Sequence, residues 1–341
     1  MNHSYLQASD LQRYIWDAAY ASGGIYDTLD VHRAMLRDEV RNEAYRRALA
    51  DAVRPGDVVL DVGAGTGILS LLAARSGAGR VYAVERSATA SLAAAIAARN
   101  GLTDRIIVLH GDLEHVRLPE PVDLIVSEWL GVYGVDENLL PIVLVARDRW
   151  LKPGGRILPD RVVSWLAPVW DERLENELAY FRNAPFGLDL RPIADGASHQ
   201  IAWSRDGVAP GDVKAEPSPL WEVDLYRYPT PAAASPFRAS LAFDAAEEST
   251  VNALAAWFEA RFGSAALLTN APGSPPTHWG QYLFPLDRPR KLEPGTRLHV
   301  DFSCIPAGPG YCQHSWSVRV GSEVAEHHDT RRGGGPGWHE L

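Results

Sequence analysis

Cysteine is nearly absent: 341 residues carry only two, Cys304 and Cys312. So few point to core packing in a reducing compartment rather than a disulfide or zinc site, and no metal site is expected. Lysine is scarcer still for its kind. Lys152, Lys214 and Lys291 are the only three, so thirty of the 33 basic residues are arginine. With the many alanines, this marks a GC-rich, bacterial-looking genome and says little about mechanism. Long apolar runs are missing, and none approaches the roughly 20 residues a membrane helix needs. Residues 1–25 lack the basic start and apolar centre of a signal peptide, so the chain is expected in the cytoplasm with no membrane partner. Positive charge is in deficit as well. A net charge of -10 disfavours a nucleic-acid partner and suits cationic substrates, although acidic solubility accounts for it too. What remains, 46% hydrophobic and 22% charged residues, is ordinary for a protein of about two domains.

Proline divides the chain, because only four of the 24 precede Trp150. In the first part, residues 10–22 and 33–53 read as helices separated by Gly23-Gly24. Strands at 58–62, 81–85, 106–109 and 122–126 then alternate with helices at 68–75 and 88–100, the order of a parallel, doubly wound sheet. Beyond Trp150, short alternating segments bounded by proline and glycine indicate a β sandwich or barrel. Residues 187–217 are polar and read as an insertion or projecting arm. The end, with Arg332-Gly333-Gly334-Gly335, reads as a tail. From Val251 to Phe262 the apolar residues fall on helical spacing in strand-rich surroundings, so periodicity predicts a helix there.

Two stretches carry chemistry. The strand Val58–Val62 contains Asp61 and runs into Gly63-Ala64-Gly65-Thr66-Gly67 before a helix, a nucleotide-type turn whose glycines let a ligand approach the backbone. Its third glycine comes one residue earlier than dinucleotide enzymes prefer, and an acid precedes it, which favours S-adenosylmethionine. Glu85, at the end of the second strand, stands where an acid accepts ribose hydroxyls, unless it is a surface acid. Glu114, after the third strand, falls where adenine would rest, or is simply a solvated loop acid. The second stretch, Ser127–Leu140, places Glu128 and Glu137 on one loop at the carboxyl edge of the sheet, where open α/β sheets bind ligands. Two converging carboxylates repel unless a cation lies between them, and a planar guanidinium fits that gap. The alternative is that one glutamate caps the next helix and the other faces water.

These residues resemble the protein arginine methyltransferase family over nearly the whole chain. Ser127-Glu128-Trp129 through Glu137 is similar to its double-glutamate loop, Thr277-His278-Trp279 to its threonine-histidine-tryptophan loop, Met35-Leu36-Arg37-Asp38-Glu39-Val40-Arg41 to its N-terminal helix, and VVLDVGAGTGIL to its cofactor turn. The resemblance implies N-terminal helices (1–52), a Rossmann-like α/β cofactor domain (53–158), a β-barrel substrate domain (159–330) with an inserted helical dimerisation arm at about 187–217, a tail (331–341), and a homodimer. It implies a strand, not a helix, at Val251–Phe262, and a strand is the expectation there. Residue by residue, Arg41 would bind the carboxylate of S-adenosylmethionine, Asp61 and Gly63 would line its amino-acid portion, and Gly65 would also bind the cofactor. Glu85 would hold the ribose and Glu114 the adenine. Glu128 and Glu137 would clamp the substrate guanidinium. His278 would pair with Asp38, Trp279 would form part of the arginine channel, and Met35 would sit beside the guanidinium, where the family controls how many methyl groups are added.

The chain departs from the family pattern at Ser22, Asp136 and Leu139, where it has an aromatic, a tyrosine and a methionine, whereas Tyr26 matches. The expectation is an arginine N-methyltransferase giving Nω-methylarginine. Composition leans toward a bacterial enzyme for free L-arginine, with peptidyl arginine as the other substrate. His278 could relay a proton or simply tie barrel to helix. The alternatives are a methyltransferase of another amine or amidine, and a catalytically idle dimeric scaffold.

Overall fold

A computed structural model describes residues 28–308, 310–332 and 339–340. The helix expected at 10–22, Ser22, Tyr26 and Gly333–Gly335 lie outside the described residues. The expected helix 33–53 is two helices, α1 (Leu29–Arg37) and α2 (Glu39–Ala52), broken at Asp38. Asp38 takes an extended ψ of 91°, and its side chain caps α2 by accepting the Arg41 N–H. Short acids favour this local bond over continuing a helix.

Five parallel strands follow. They are β1 (Val58–Val62), β2 (Arg80–Glu85), β3 (Ile106–His110), β4 (Val122–Ser127) and β5 (Leu151–Leu158), in the order β3-β2-β1-β4-β5. The intervening helices are α3 (Ile68–Arg75), α4 (Thr89–Arg99) and α5 (Leu140–Trp150). Parallel pairing puts the carboxyl ends of β1 to β4 on one edge, where the glycine turn follows β1, Glu85 ends β2 and Glu128 follows β4. β5 escaped the sequence reading because it contains Lys152-Pro153-Gly154-Gly155, and its pairing jumps from Val122↔Leu151 to Leu124↔Arg156 to accommodate that turn.

The second half is barrel-like. A large sheet runs β16-β7-β12-β10-β6-β8, with β11 paired to β10, and a smaller one runs β15-β14-β13-β9. Its strands are β6 (Arg161–Val169), β7 (Ala202–Ser204), β8 (Ser218–Asp224), β9 (Phe237–Asp244), β10 (Ser249–Phe262), β11 (Ala266–Thr269), β12 (Gln281–Leu292), β13 (Arg297–Gly308), β14 (Tyr311–Val320), β15 (Glu326–Asp329) and β16 (His339–Glu340). Pairing is antiparallel except for β16 on β7.

Residues 251–262 are therefore strand, against their helical periodicity. Leu254, Ala256, Phe258, Ala260 and Phe262 face the main core. Ala253, Ala255 and Trp257 face a second one. A strand buried on both sides loses the polar alternation that identifies a strand.

Helices α6 (Glu172–Arg182) and α7 (Arg191–Ala197) pack on each other outside the sheets. The segment read as an arm thus contains α7, and it returns to the large sheet at β7, which pairs with β12. Four large apolar side chains here, Tyr180, Phe186, Leu188 and Ile193, are exposed in the single chain.

Candidate functional site

The turn after β1 is held against β2 by the Gly63 and Ala64 N–H groups, which both donate to the Val84 carbonyl. Gly63 and Gly65 have φ of 70° and 54°, so an L side chain would be strained at either. Space above Gly63 is open, whereas a Cβ on Gly65 would stand 3.2 Å from His32 Cε1. His32, buried on α1, thus covers the turn. A histidine before any recognisable motif gave the sequence reading no signal for it. Glu85 accepts the Gly65 N–H at 2.8 Å and the Ser87 N–H at 2.7 Å, one on each oxygen. Asp61 is fully buried. Its Oδ2 accepts the Ser70 hydroxyl at 2.7 Å, while Oδ1 has no hydrogen-bond partner. Burial pushes its carboxyl up to about 7, with the Ser70 bonds holding it back only in part.

Glu128 follows β4 directly and meets Arg41 of α2. Arg41 Nε and Nη2 donate to Glu128 Oε2 at 3.2 and 3.1 Å, with both side chains at most 10% exposed. Glu128 Oε1 accepts the Leu130 N–H at 3.0 Å, and Arg41 Nη1 donates to Asn42 at 2.8 Å. Asp38, three residues before Arg41, reaches the barrel. Its Oδ2 accepts the His278 N–H at 2.9 Å and lies 2.7 Å from His278 Nδ1. Burial alone would raise the Asp38 carboxyl, but the bonds from His278 and Arg41 outweigh it and hold the group below its usual range.

The rest of the acidic loop is braced from beneath. Asp136 accepts the Val132 and Tyr133 N–H groups at 3.1 and 3.0 Å. Its burial pushes the carboxyl up to about 6, against the pull of the Tyr133 N–H. Asn270 donates to the Val132 and Gly280 carbonyls at 2.7 and 2.6 Å, tying this loop to the turn that holds His278. Trp279 is buried, donates to the Leu130 carbonyl at 3.2 Å, and packs edge-on against Phe258 with ring centroids 5.0 Å apart. An asparagine in a strand-turn region carries no motif; Asn270 is revealed only by the two bonds it donates and by the Phe258 N–H it accepts at 2.9 Å.

Nine of the predicted residues fall into two groups, and Glu137, Met35 and Glu114 into neither. Asp38, Arg41, Glu128 and His278 are linked by direct bonds, and Trp279 joins them through Leu130. Asp61, Gly63, Gly65 and Glu85 surround the glycine turn. Glu137 is half-buried farther along the acidic loop, before Asn138, and Met35 is half-buried on α1. Glu114 is exposed on the loop after β3.

Residues 59–155 match the methyltransferase domain, and residues 160–315 the arginine methyltransferase oligomerization subdomain. Protein arginine N-methyltransferase 6 of Xenopus laevis is 35% identical over 291 residues, covering 83% of this chain and 85% of that one. Among solved structures, the Trypanosoma brucei PRMT1 enzyme-prozyme heterotetrameric complex with AdoHcy superposes with a TM-score of 0.80 at 30% identity, covering 89% of this chain and 98% of that one. The protein arginine methyltransferase 10 of Arabidopsis thaliana, in an open conformation, gives 0.76 at 28% identity, over 89% and 97% of the two chains. With a methyltransferase domain followed by an arginine methyltransferase oligomerization subdomain and a relative 35% identical over most of both chains, the chain belongs to the protein arginine N-methyltransferase family.

Proposed function

We propose that this chain transfers a methyl group from S-adenosylmethionine to a terminal guanidino nitrogen of arginine in a protein or peptide, giving Nω-methylarginine, a proton and the leaving thioether S-adenosylhomocysteine. The observation that carries the reading is the Arg41–Glu128 pair at the sheet edge, anchored on the barrel side by Asp38 and His278. The donor and acceptor set fits the cofactor. Arg41 has five N–H donors, and its three recorded bonds leave two for a carboxylate. Asp61 Oδ1 is a buried acceptor with no donor, suited to an ammonium. Glu85 keeps lone pairs for ribose hydroxyls, and the open space over Gly63 admits the ligand. When bound, the cofactor supplies an electrophilic sulfonium methyl.

The chain's own residues must make a guanidinium nucleophilic, since its charge is delocalised and its pKa lies above about 12. A carboxylate offers about four lone-pair positions. Two donors of Arg41 and the Leu130 N–H occupy three of those on Glu128. Glu128 can therefore take one further N–H, and Glu137 supplies the second carboxylate. Holding two nitrogens of the guanidinium draws positive charge toward them and leaves the remaining terminal nitrogen richer in electrons. Fixed orientation then supplies much of the rate. Because Asp38 is an acceptor, His278 carries its hydrogen on Nδ1, and Nε2 is left able to accept a proton. Glu137 is the other candidate acceptor. The exposed apolar side chains on α6 and α7 fit a homodimer.

The test offers the full chain labelled cofactor with arginine-rich peptides, free L-arginine or unrelated amines. Label on the peptides is expected. Label on free arginine alone would move the substrate to a small molecule, label on another amine would change the substrate class, and label on nothing would leave an idle scaffold.

A further inference from the structure

The root of the α6–α7 pair holds a polar cluster that methyl transfer does not use. On β15, His328 is 2% exposed and Glu326 is 7% exposed. The His328 ring lies flat on Trp316 of β14, with centroids 5.0 Å apart and planes 6° from parallel. Its Nδ1 is 2.8 Å from the carbonyl oxygen of Ser198, the residue that ends α7. A carbonyl can only accept, so Nδ1 carries the hydrogen and Nε2 presents a lone pair. That Nε2 has no hydrogen-bond partner, nor has Glu326 Oε1, and both atoms are buried. They face each other at 3.9 Å, beyond hydrogen-bond range. Arg290 Nη2 donates to the other Glu326 oxygen at 2.5 Å and its Nη1 to Glu323 at 3.1 Å, so neither satisfies Oε1. Asp287 of β12 lies beside them, with its Oδ1 3.8 Å from His328 Nδ1 and accepting the Ser198 hydroxyl at 3.2 Å. One carboxylate oxygen from each acid and one His328 nitrogen all lie within 4.8 Å of one another.

Two buried lone pairs aimed at each other are costly, and a shared cation removes the cost for both. A tetrahedral ion about 2.1 Å from each ligand sets them roughly 3.4 Å apart. The 3.9 Å separation reaches that with a small side-chain adjustment. A backbone carbonyl on the far ring nitrogen is the usual orienting partner of a metal-bound imidazole. One imidazole and two carboxylates, with no thiolate, suit a borderline divalent first-row ion. We propose that His328 Nε2 and Glu326 Oε1, with a carboxylate oxygen of Asp287, bind one divalent transition-metal ion of the zinc class. Asp287 belongs to the large sheet, Glu326 and His328 to the small one, and Ser198 to the end of α7. The ion staples the helical pair to both sheets.

The full chain, stripped with a chelator and dialysed, is titrated with Zn²⁺ by calorimetry and with Co²⁺ by visible absorption. One equivalent per chain is expected, with tetrahedral Co²⁺ bands and a higher thermal midpoint on loading. His328→Phe keeps a ring on Trp316 and is expected to weaken binding by ~100-fold or more. Asp287→Asn, at an exposed carboxylate, is expected to weaken it by ~10-fold without disturbing the core. If His328→Phe fails to fold, Asp287→Asn decides. Absence of binding by the parent chain, or binding that survives Asp287→Asn unchanged, overturns the site.

Discussion

Glu128 already holds one guanidinium, that of Arg41, and this defines what a single substitution there should do. Glu128→Gln keeps the shape but gives Arg41 a neutral partner and removes the charge that orients a second guanidinium. Turnover should fall by about 10²–10³-fold, while cofactor affinity by calorimetry changes far less. Full activity would remove the clamp from the mechanism. Asp61 makes a different prediction. Its carboxyl is raised to about 7 by burial, against about 3.9 in an unfolded chain. The folded state therefore holds the extra proton between those values. The stability this contributes is complete below about pH 4 and is lost as pH rises through about 7. Asp61→Asn keeps the Ser70 bond and cannot titrate, so the thermal midpoint of the cofactor-free protein should fall less steeply from pH 5 to 7. Asp136, raised to about 6, leaves part of the slope in place at the lower end. At this scale the sequence was informative where a residue sits in a motif, as with Glu128, Asp61 and His278. It was silent on His32 and Asn270, whose roles are contacts made across the fold.

Among the elements, the break between α1 and α2 matters most to the site. A continuous helix would keep Asp38 facing its own helix; the break turns its carboxylate to cap α2 with one oxygen and meet His278 with the other. Asp38→Ala loses a cap of about 1 kcal/mol and a charge-assisted bond of about 1.5–3 kcal/mol. Chemical unfolding should show a loss of roughly 2–4 kcal/mol, and a double-mutant cycle with His278→Ala should be non-additive. An additive cycle would mean that the two side chains do not act on each other. The break was hard to read because Asp38 lies inside a run whose apolar spacing continues across it. β10 was misread by periodicity for the opposite reason: with two buried faces, it offers no polar side to count. The glycine turn and the strands around it were legible because they bury one apolar run each between unambiguous turns.

For the whole molecule, charge and exposed apolar surface make separate predictions. A net charge of -10 draws basic peptides by a field that salt screens over about 8–10 Å. The KM for an arginine-rich peptide should therefore rise with ionic strength more than that for a neutral-flanked one; equal responses would confine recognition to the pocket. Phe186 and Leu188 are 88% and 58% exposed in the single chain, more apolar surface than a solitary helical pair ordinarily leaves to water. Replacing both with aspartate should yield a monomer by light scattering with an unchanged circular dichroism spectrum. A dimer that survives would place the contact elsewhere. The domain order was readable from the change in proline density at Trp150, but the return of residues 202–204 to the large sheet was not, because three residues carry no periodicity.

Asp38 and His278 are 240 positions apart in the chain. A polypeptide emerging from a ribosome therefore exposes its amino-terminal helices long before their anchor has been synthesised, and nascent chains arrested ahead of that histidine should be cleaved near Asp38 by a protease to which the released protein is resistant.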